Sequence, residues 1–337
     1  MTQKEQQFRS TIVSTAQNPD YDCVLLFSGG KDSSYLLYYL SEILNLRVLT
    51  FTLIHDFLPE QTIRNIEEFS SRFAKKHVNI QNKTLSTAGK HFLETWINKP
   101  DEGSLITLCT GCRMGLVKPV IETAHAENMK VVIAAHTPFE ESDYKVSLVN
   151  YPKGKKGFIY FAMGYMRLLI RNPSLLKNIK VFLSQLEEFH YYKNKDSIFK
   201  NAGIDYYKPF YSVIDFDEHK IVKKLKELNW EKPKSTTNSS VWRSDCNMYA
   251  VRHYFYNQVA GYNESKVYYG NLLKENKISY EYFEEHSQQN YEKEEIMDLL
   301  TSLELSESSI NKYRDFLGKY GNSDNPFPSC SSCQRIP

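Results

Sequence analysis

Residues 22–40 read DCVLLFSGGKDSSYLLYYL, and this stretch constrains the fold more than any other. The apolar run at 23–27 is short and stops at Gly29 and Gly30, the mark of a buried strand ended by a tight turn. Leu36, Leu37 and Leu40 then recur at helical spacing, so a helix starts within a few residues of the strand's end. A glycine pair at that junction lets the backbone turn sharply and lets a ligand approach it closely. The N–H groups of the first helical turn point outward there, and the helix dipole favours an anion. Ser28, Ser33 and Ser34 add hydroxyls and Lys31 adds a cation, so the stretch predicts a phosphate cradle.

The pattern differs from the common nucleotide loop. The Walker motif separates its glycines and ends in Gly-Lys-Ser/Thr. Here the glycines are adjacent and Asp32 follows Lys31. A carboxylate beside a phosphate cradle fits Mg²⁺, which bridges phosphate oxygens.

The following chain continues the alternation. Residues 47–57 (RVLTFTLIHDF), 78–86 (VNIQNKTLS) and 130–138 (KVVIAAHTP) read as strands. Residues 62–77 carry Ile63, Ile66, Phe69 and Phe73 at helical spacing, and a proline-bearing helix starts near Gly115. A polar lead-in helix is expected within residues 1–20. The fold class expected is α/β: an open parallel sheet with helices on both faces, followed by a mostly helical C-terminal region. Nucleotide is expected outside the carboxyl ends of the strands, where residues 52–55 end the second one. Residues 158–201 look helical, and 206–230 read as a loop before an amphipathic helix. The expected division is an ATP-binding domain at 1–160, a helical substrate-pocket region at 161–320 and a Cys-containing tail at 321–337.

Composition narrows the function classes. The 337 residues carry a net charge of +2, which argues against a general nucleic-acid binder. The basic stretches KGKK at 153–156 and KKLKELNWEKPK at 223–234 read as a loop and a solvated helix face. No apolar run is long enough to span a membrane, and the polar N-terminus does not read as a secretory signal, so a cytoplasmic location is expected.

Six cysteines then call for metal or catalysis rather than disulfides. Cys23 falls in the first strand and reads as core. Cys109 and Cys112 form CTGC, Cys246 stands alone in RSDCNMY, and Cys330 and Cys333 form CSSC. Three assignments are open. Cys109, Cys112 and Cys246 hold a 4Fe–4S cluster with one iron free; both pairs hold Zn²⁺; or Cys109 and Cys112 carry sulfur without metal.

SGGKDSS, residues 28–34, resembles the pyrophosphate loop of the N-type (PP-loop) ATP pyrophosphatases, the adenine nucleotide alpha hydrolase superfamily. The resemblance implies a Rossmann-like domain of the HUP type. ATP is then held by Ser28, Gly29, Gly30, Lys31, Asp32, Ser33 and Ser34, with Asp32 on Mg²⁺ and adenine on backbone groups near Thr52 and Leu53. It also implies cleavage between the α and β phosphates. AMP is placed on a substrate oxygen, and a sulfur or nitrogen nucleophile displaces it.

Cys109, Cys112, His136 and Cys246 occur in an order similar to that of the tRNA 2-thiolation sulfurtransferases. That resemblance implies a three-cysteine cluster or sulfur transfer through the pair, with His136 as proton shuttle or substrate ligand. Two departures stand out. The gap from Cys112 to Cys246 is longer than usual, and Glu140 and Glu141 stand where that branch has paired Asp residues. Residues 21–46 and 261–285 also resemble the N-acetyl sugar amidotransferases, which take ammonia from a separate glutaminase. Cys330 and Cys333 match neither branch and are expected as accessory ligands or a sulfur relay. His55 is a weaker site candidate, and His253 reads as packing.

The leading expectation is thus an ATP-dependent sulfurtransferase. Its catalytic residues are Cys109, Cys112, Lys31, Asp32 and His136. Its acceptor is a small nucleobase-like molecule or, second, tRNA, and its donor is sulfide or a sulfur-donor protein. A homodimer is expected. The alternative is an amidotransferase acting on an N-acetyl sugar. A nucleotide sensor is the non-catalytic reading, which the intact Lys31 and Asp32 argue against.

Overall fold

The computed structural model describes residues 1–81, 83–100, 103–109, 115–140, 149–152, 155, 158–177, 183, 195–233, 242–287 and 291–320. A lead-in helix α1 (Gln3–Thr15) precedes β1 (Cys23–Leu26), α2 (Lys31–Tyr38), β2 (Val48–Ile54), α3 (Glu60–Phe73) and β3 (Lys76–Gln81). Next come α4 (Lys83–Asn98), a 3₁₀ turn (Gly103–Cys109), α5 (Val117–Ala126) and β4 (Val131–Ala134). Beyond it lie α6 (Phe158–Arg171), α7 (Lys195–Asn201), β5 (Asp205–Tyr207) and α8 (Glu218–Glu227). The chain closes with α9 (Asn247–Ala260), α10 (Glu264–Lys274), α11 (Tyr280–Ser287), α12 (Lys293–Ser302) and α13 (Glu307–Tyr320).

The strands form one parallel sheet in the order β3-β2-β1-β4-β5. Leu25 of β1 pairs with Thr50 on one side and Ile133 on the other. Successive side chains of β1 feed opposite cores, as the two-residue pleat requires. Cys23 and Leu25 join α2, α3 and α8 through Leu37, Ile66 and Ile221. Val24 joins α5 and α7 through Val120 and Phe199. Both faces are covered, so β1 and β4 are apolar throughout rather than alternating. A third core, built on Trp96, Phe255 and Tyr313, unites α4 with the C-terminal helices. The open α/β architecture with a helical C-terminal region is the one expected. No described helix is long and apolar enough to cross a membrane.

Two local readings change. β3 ends at Gln81, and residues from Lys83 onward are helical. Leu85, Ala88, Phe92 and Trp96 recur there at helical spacing and are buried. The stretch read as a loop from residue 206 contains β5, which extends the sheet beside β4. Its three residues are too few to show a period.

Candidate functional site

A cavity of about 330 Å³ opens at the carboxyl ends of β1, β2 and β4. Strand order reverses between β1 and β4, so the connections leave to opposite faces and a crevice remains between them.

The phosphate loop forms the floor. Gly29 has φ +72°, and a Cβ there would stand 2.6 Å from Ile66 Cγ1 and 2.9 Å from the Thr62 carbonyl. The Trp230 indole donates to the Gly29 carbonyl at 3.0 Å and pins the turn. Gly30 is the N-cap of α2 and brings no side chain to cap it. A helix start of this kind offers its N–H groups to a ligand. Ser28 and Ser33 hydroxyls lie 3.1 Å apart, and Ser33 donates to the Gly30 carbonyl at 3.1 Å. Ser34 is fully buried.

Lys31 is only 3 % exposed. Its Nζ donates to Asp32 Oδ1 and to Glu218 Oε2, both at 2.6 Å. Glu218 also accepts from the Tyr268 hydroxyl at 3.2 Å. Burial alone would lower the Lys31 ammonium, but the Asp32 and Glu218 carboxylates outweigh it and hold the proton on. Burial pushes the Asp32 carboxyl up to about 7, with Glu218 adding to the rise and Lys31 opposing it. The lysine expected to offset phosphate charge is thus matched by two carboxylates of the chain itself. Glu218 reaches it because Asp217 caps α8, accepting from the Lys220 N–H at 3.0 Å.

Thr52 and Leu53 line the wall at the end of β2. The Thr52 hydroxyl donates to the Phe27 carbonyl at 2.7 Å and so clamps β1 to β2. His55 and His136 line the cavity as well. Burial lowers His55 to about 4, so it is neutral at physiological pH.

Residues 242–246, WRSDC, form the roof. Trp242 stacks on Tyr268 with ring centroids 4.6 Å apart. Arg243 takes the left-handed conformation at φ 51° and pairs with Glu140 at 2.9 Å. Asp245 accepts a hydrogen bond from Ser28 and sits so close to the loop that a Cβ on Gly30 would meet its Oδ2 at 2.7 Å. Burial raises its carboxyl. Cys246 is the N-cap of α9, and Tyr249 and Arg252 of that helix complete the lining.

Asp32, Glu140 and Asp245 give the cavity hard oxygen donors. Among the described residues, no group of three or more His, Cys, Asp or Glu converges on one metal position. The set therefore fits Mg²⁺ arriving with a nucleotide, which needs only one or two carboxylates beside the phosphates. Of the expected sulfur ligands, Cys246 lines the cavity, and Cys109 ends the 3₁₀ turn against which α9 packs. Cys112, Glu141, Cys330 and Cys333 lie outside the described residues. Cys23 is core, and its burial pushes the thiol up. His253 is fully buried and packs edge-on against Tyr291.

Glu218, Arg243, Asp245 and Arg252 escaped the sequence reading. Asp217 before an apolar-periodic run was a legible cap signal for the first. Trp, Arg and Asp grouped just ahead of Cys246 were a legible signal for the next two.

No family model matches the chain, and no curated protein sequence matches it. Among solved structures it pairs with NMN synthetase from Francisella tularensis at 12 % identity, over 97 % of this chain and 98 % of that one, with a TM-score of 0.40. At that score the two chains share too little geometry for one to speak for the other.

Proposed function

We propose that the chain is an ATP pyrophosphatase of the adenylating kind, and that it replaces a carbonyl oxygen of a nucleobase-like or amide acceptor with sulfur. One observation carries this reading: a single cavity joins the SGGKDSS loop, the ends of β1, β2 and β4, and Cys246. The loop amides and Ser28, Ser33 and Ser34 bind the pyrophosphate, and the backbone at Thr52 and Leu53 takes the adenine. Asp32 would hold Mg²⁺ in part, and the ion would supply charge neutralisation at the phosphates. The acceptor oxygen attacks the α-phosphate and pyrophosphate leaves. A sulfur nucleophile then adds to the activated carbon, and AMP departs with the oxygen. Positioning and charge stabilisation do most of this work. His136, at the end of β4, serves as proton shuttle or acceptor ligand.

The ammonia reading keeps the adenylation and gives Cys246 no chemical part. Pyrophosphate release from ATP, assayed with nucleobase, nucleotide and N-acetyl sugar acceptors and with sulfide or ammonium, tests both. Sulfide-dependent turnover that Cys246→Ala abolishes supports sulfur transfer. Ammonium-dependent turnover that survives Cys246→Ala moves the assignment to amidotransfer. An absence of pyrophosphate release with every acceptor refutes adenylation. Anaerobic iron, sulfide and zinc analysis decides among the three cysteine assignments.

A further inference from the structure

The cavity has a second charged centre besides the loop. Arg243 and Arg252 both line it. Their guanidinium carbons lie 5.9 and 5.0 Å from the centroid of one ring, that of Tyr249. The two cations feel each other's charge. Each pairs with a carboxylate, and that of Arg243 lines the cavity as well. Glu140 meets Arg243 Nη2 at 2.9 Å, and Glu264 meets Arg252 Nη2 at 2.5 Å. Glu264 is 3 % exposed and Arg252 4 % exposed, so this anchor is rigid and largely dry. A guanidinium carries more N–H donors than one carboxylate takes up. Holding two such groups beside one ring costs repulsion and desolvation, which an oxyanion bound to both offsets. The Asp245 carboxylate touches Ser28 and Gly30 of the loop and also feels the charge of Arg243.

We propose that Arg243 and Arg252 form an oxyanion subsite for the acceptor. The molecule that receives AMP then carries a phosphate or carboxylate, which the two guanidiniums hold. This rests on the adenylating reading and deepens it: neutral bases and nucleosides are poor acceptors, and nucleotides or other acidic small molecules are good ones.

Calorimetric titration of the full chain with inorganic phosphate and with malonate tests the subsite, with and without saturating Mg²⁺ and α,β-methylene-ATP. With the nucleotide site filled, one of the two anions still binds, and the better one names phosphate or carboxylate as the acceptor's group. Arg243→Met weakens that binding about ten-fold or more and changes the affinity for the ATP analogue little. Arg252→Met/Glu264→Gln does the same without stranding a buried carboxylate, and melting curves confirm that both variants fold. The proposal is overturned if neither anion binds beside the analogue, or if both variants bind anions as the wild type does. Loss of analogue binding in both folded variants overturns it too, because the arginines then serve ATP. If the wild type fails to bind the analogue, the adenylating reading falls. The titration without nucleotide still compares wild type with the arginine variants, and an unchanged anion affinity there also overturns the subsite.

Discussion

Lys31 Nζ donates to Glu218 Oε2 at 2.6 Å, joining the phosphate loop to the first turn of a helix far along the chain. Both side chains are almost wholly buried. Removing Glu218 leaves the buried Lys31 ammonium with Asp32 alone and takes the acceptor from the Tyr268 hydroxyl. Glu218→Ala should therefore cost about 1–3 kcal/mol of unfolding free energy in urea. Glu218→Gln keeps the hydrogen bonds and should cost clearly less. Equal, small losses for both would show that the charge of Glu218 does not matter to Lys31.

Asp32 should make both stability and ligand binding depend on pH, with opposite signs. Its carboxyl is raised to about 7 in the folded chain, so the folded state holds a proton that the unfolded state has already released. Stability without ligand should fall as pH rises from the ordinary carboxylate range to about 7, and Asp32→Asn should remove that fall. Mg²⁺ needs the ionised carboxylate, so affinity for Mg²⁺ and the ATP analogue should rise over the same window. Melting curves and titrations at pH 5, 6, 7 and 8 (roughly one-unit steps across the proton release) check both slopes.

The two loop glycines should respond differently to a single methyl group. At Gly29 the backbone is left-handed and the new Cβ meets Ile66 and the Thr62 carbonyl, so Gly29→Ala should cost about 2–4 kcal/mol. At Gly30 the backbone is extended, and the nearest atoms are the far end of Asp245, which can swing away. Gly30→Ala should change stability by less than about 1 kcal/mol and weaken binding of the ATP analogue. Urea unfolding and calorimetry separate the two effects.

Trp230 is the tie that holds the turn. Trp230→Phe keeps the ring in its core and strands the Gly29 carbonyl, for a loss of about 1–3 kcal/mol. A weaker ATP analogue affinity should accompany it. An unchanged affinity in the folded variant would show that the loop holds its shape without the indole.

Much of the frame was legible in the residues. Cys23 to Phe27, the glycine pair and the leucines of α2 encode a strand, a turn and a helix through local periodicity, and that unit is where the cavity floor stands. β5 was not legible, because three residues show no period and their pairing with β4 depends on a long-range return. The α4 pattern was present in Leu85, Ala88, Phe92 and Trp96, but the apolar start of that stretch also suits a strand.

The sequence by itself determined the parallel α/β frame and the place of the strand–turn–helix unit at Ser28–Ser34 in it. The unit follows from the order of residues along one short segment, and the frame from the alternation of strand and helix patterns after it. Only the tertiary structure decided which charges surround the cradle. Glu218 and Asp245 come from elements distant in the chain from the loop, and they meet Lys31 and Ser28 because α8 and the 242–246 roof pack over the sheet's carboxyl edge, which also brings Arg243 and Arg252 into the cavity. Coulomb interactions depend on distance in space, which spacing along the chain does not record.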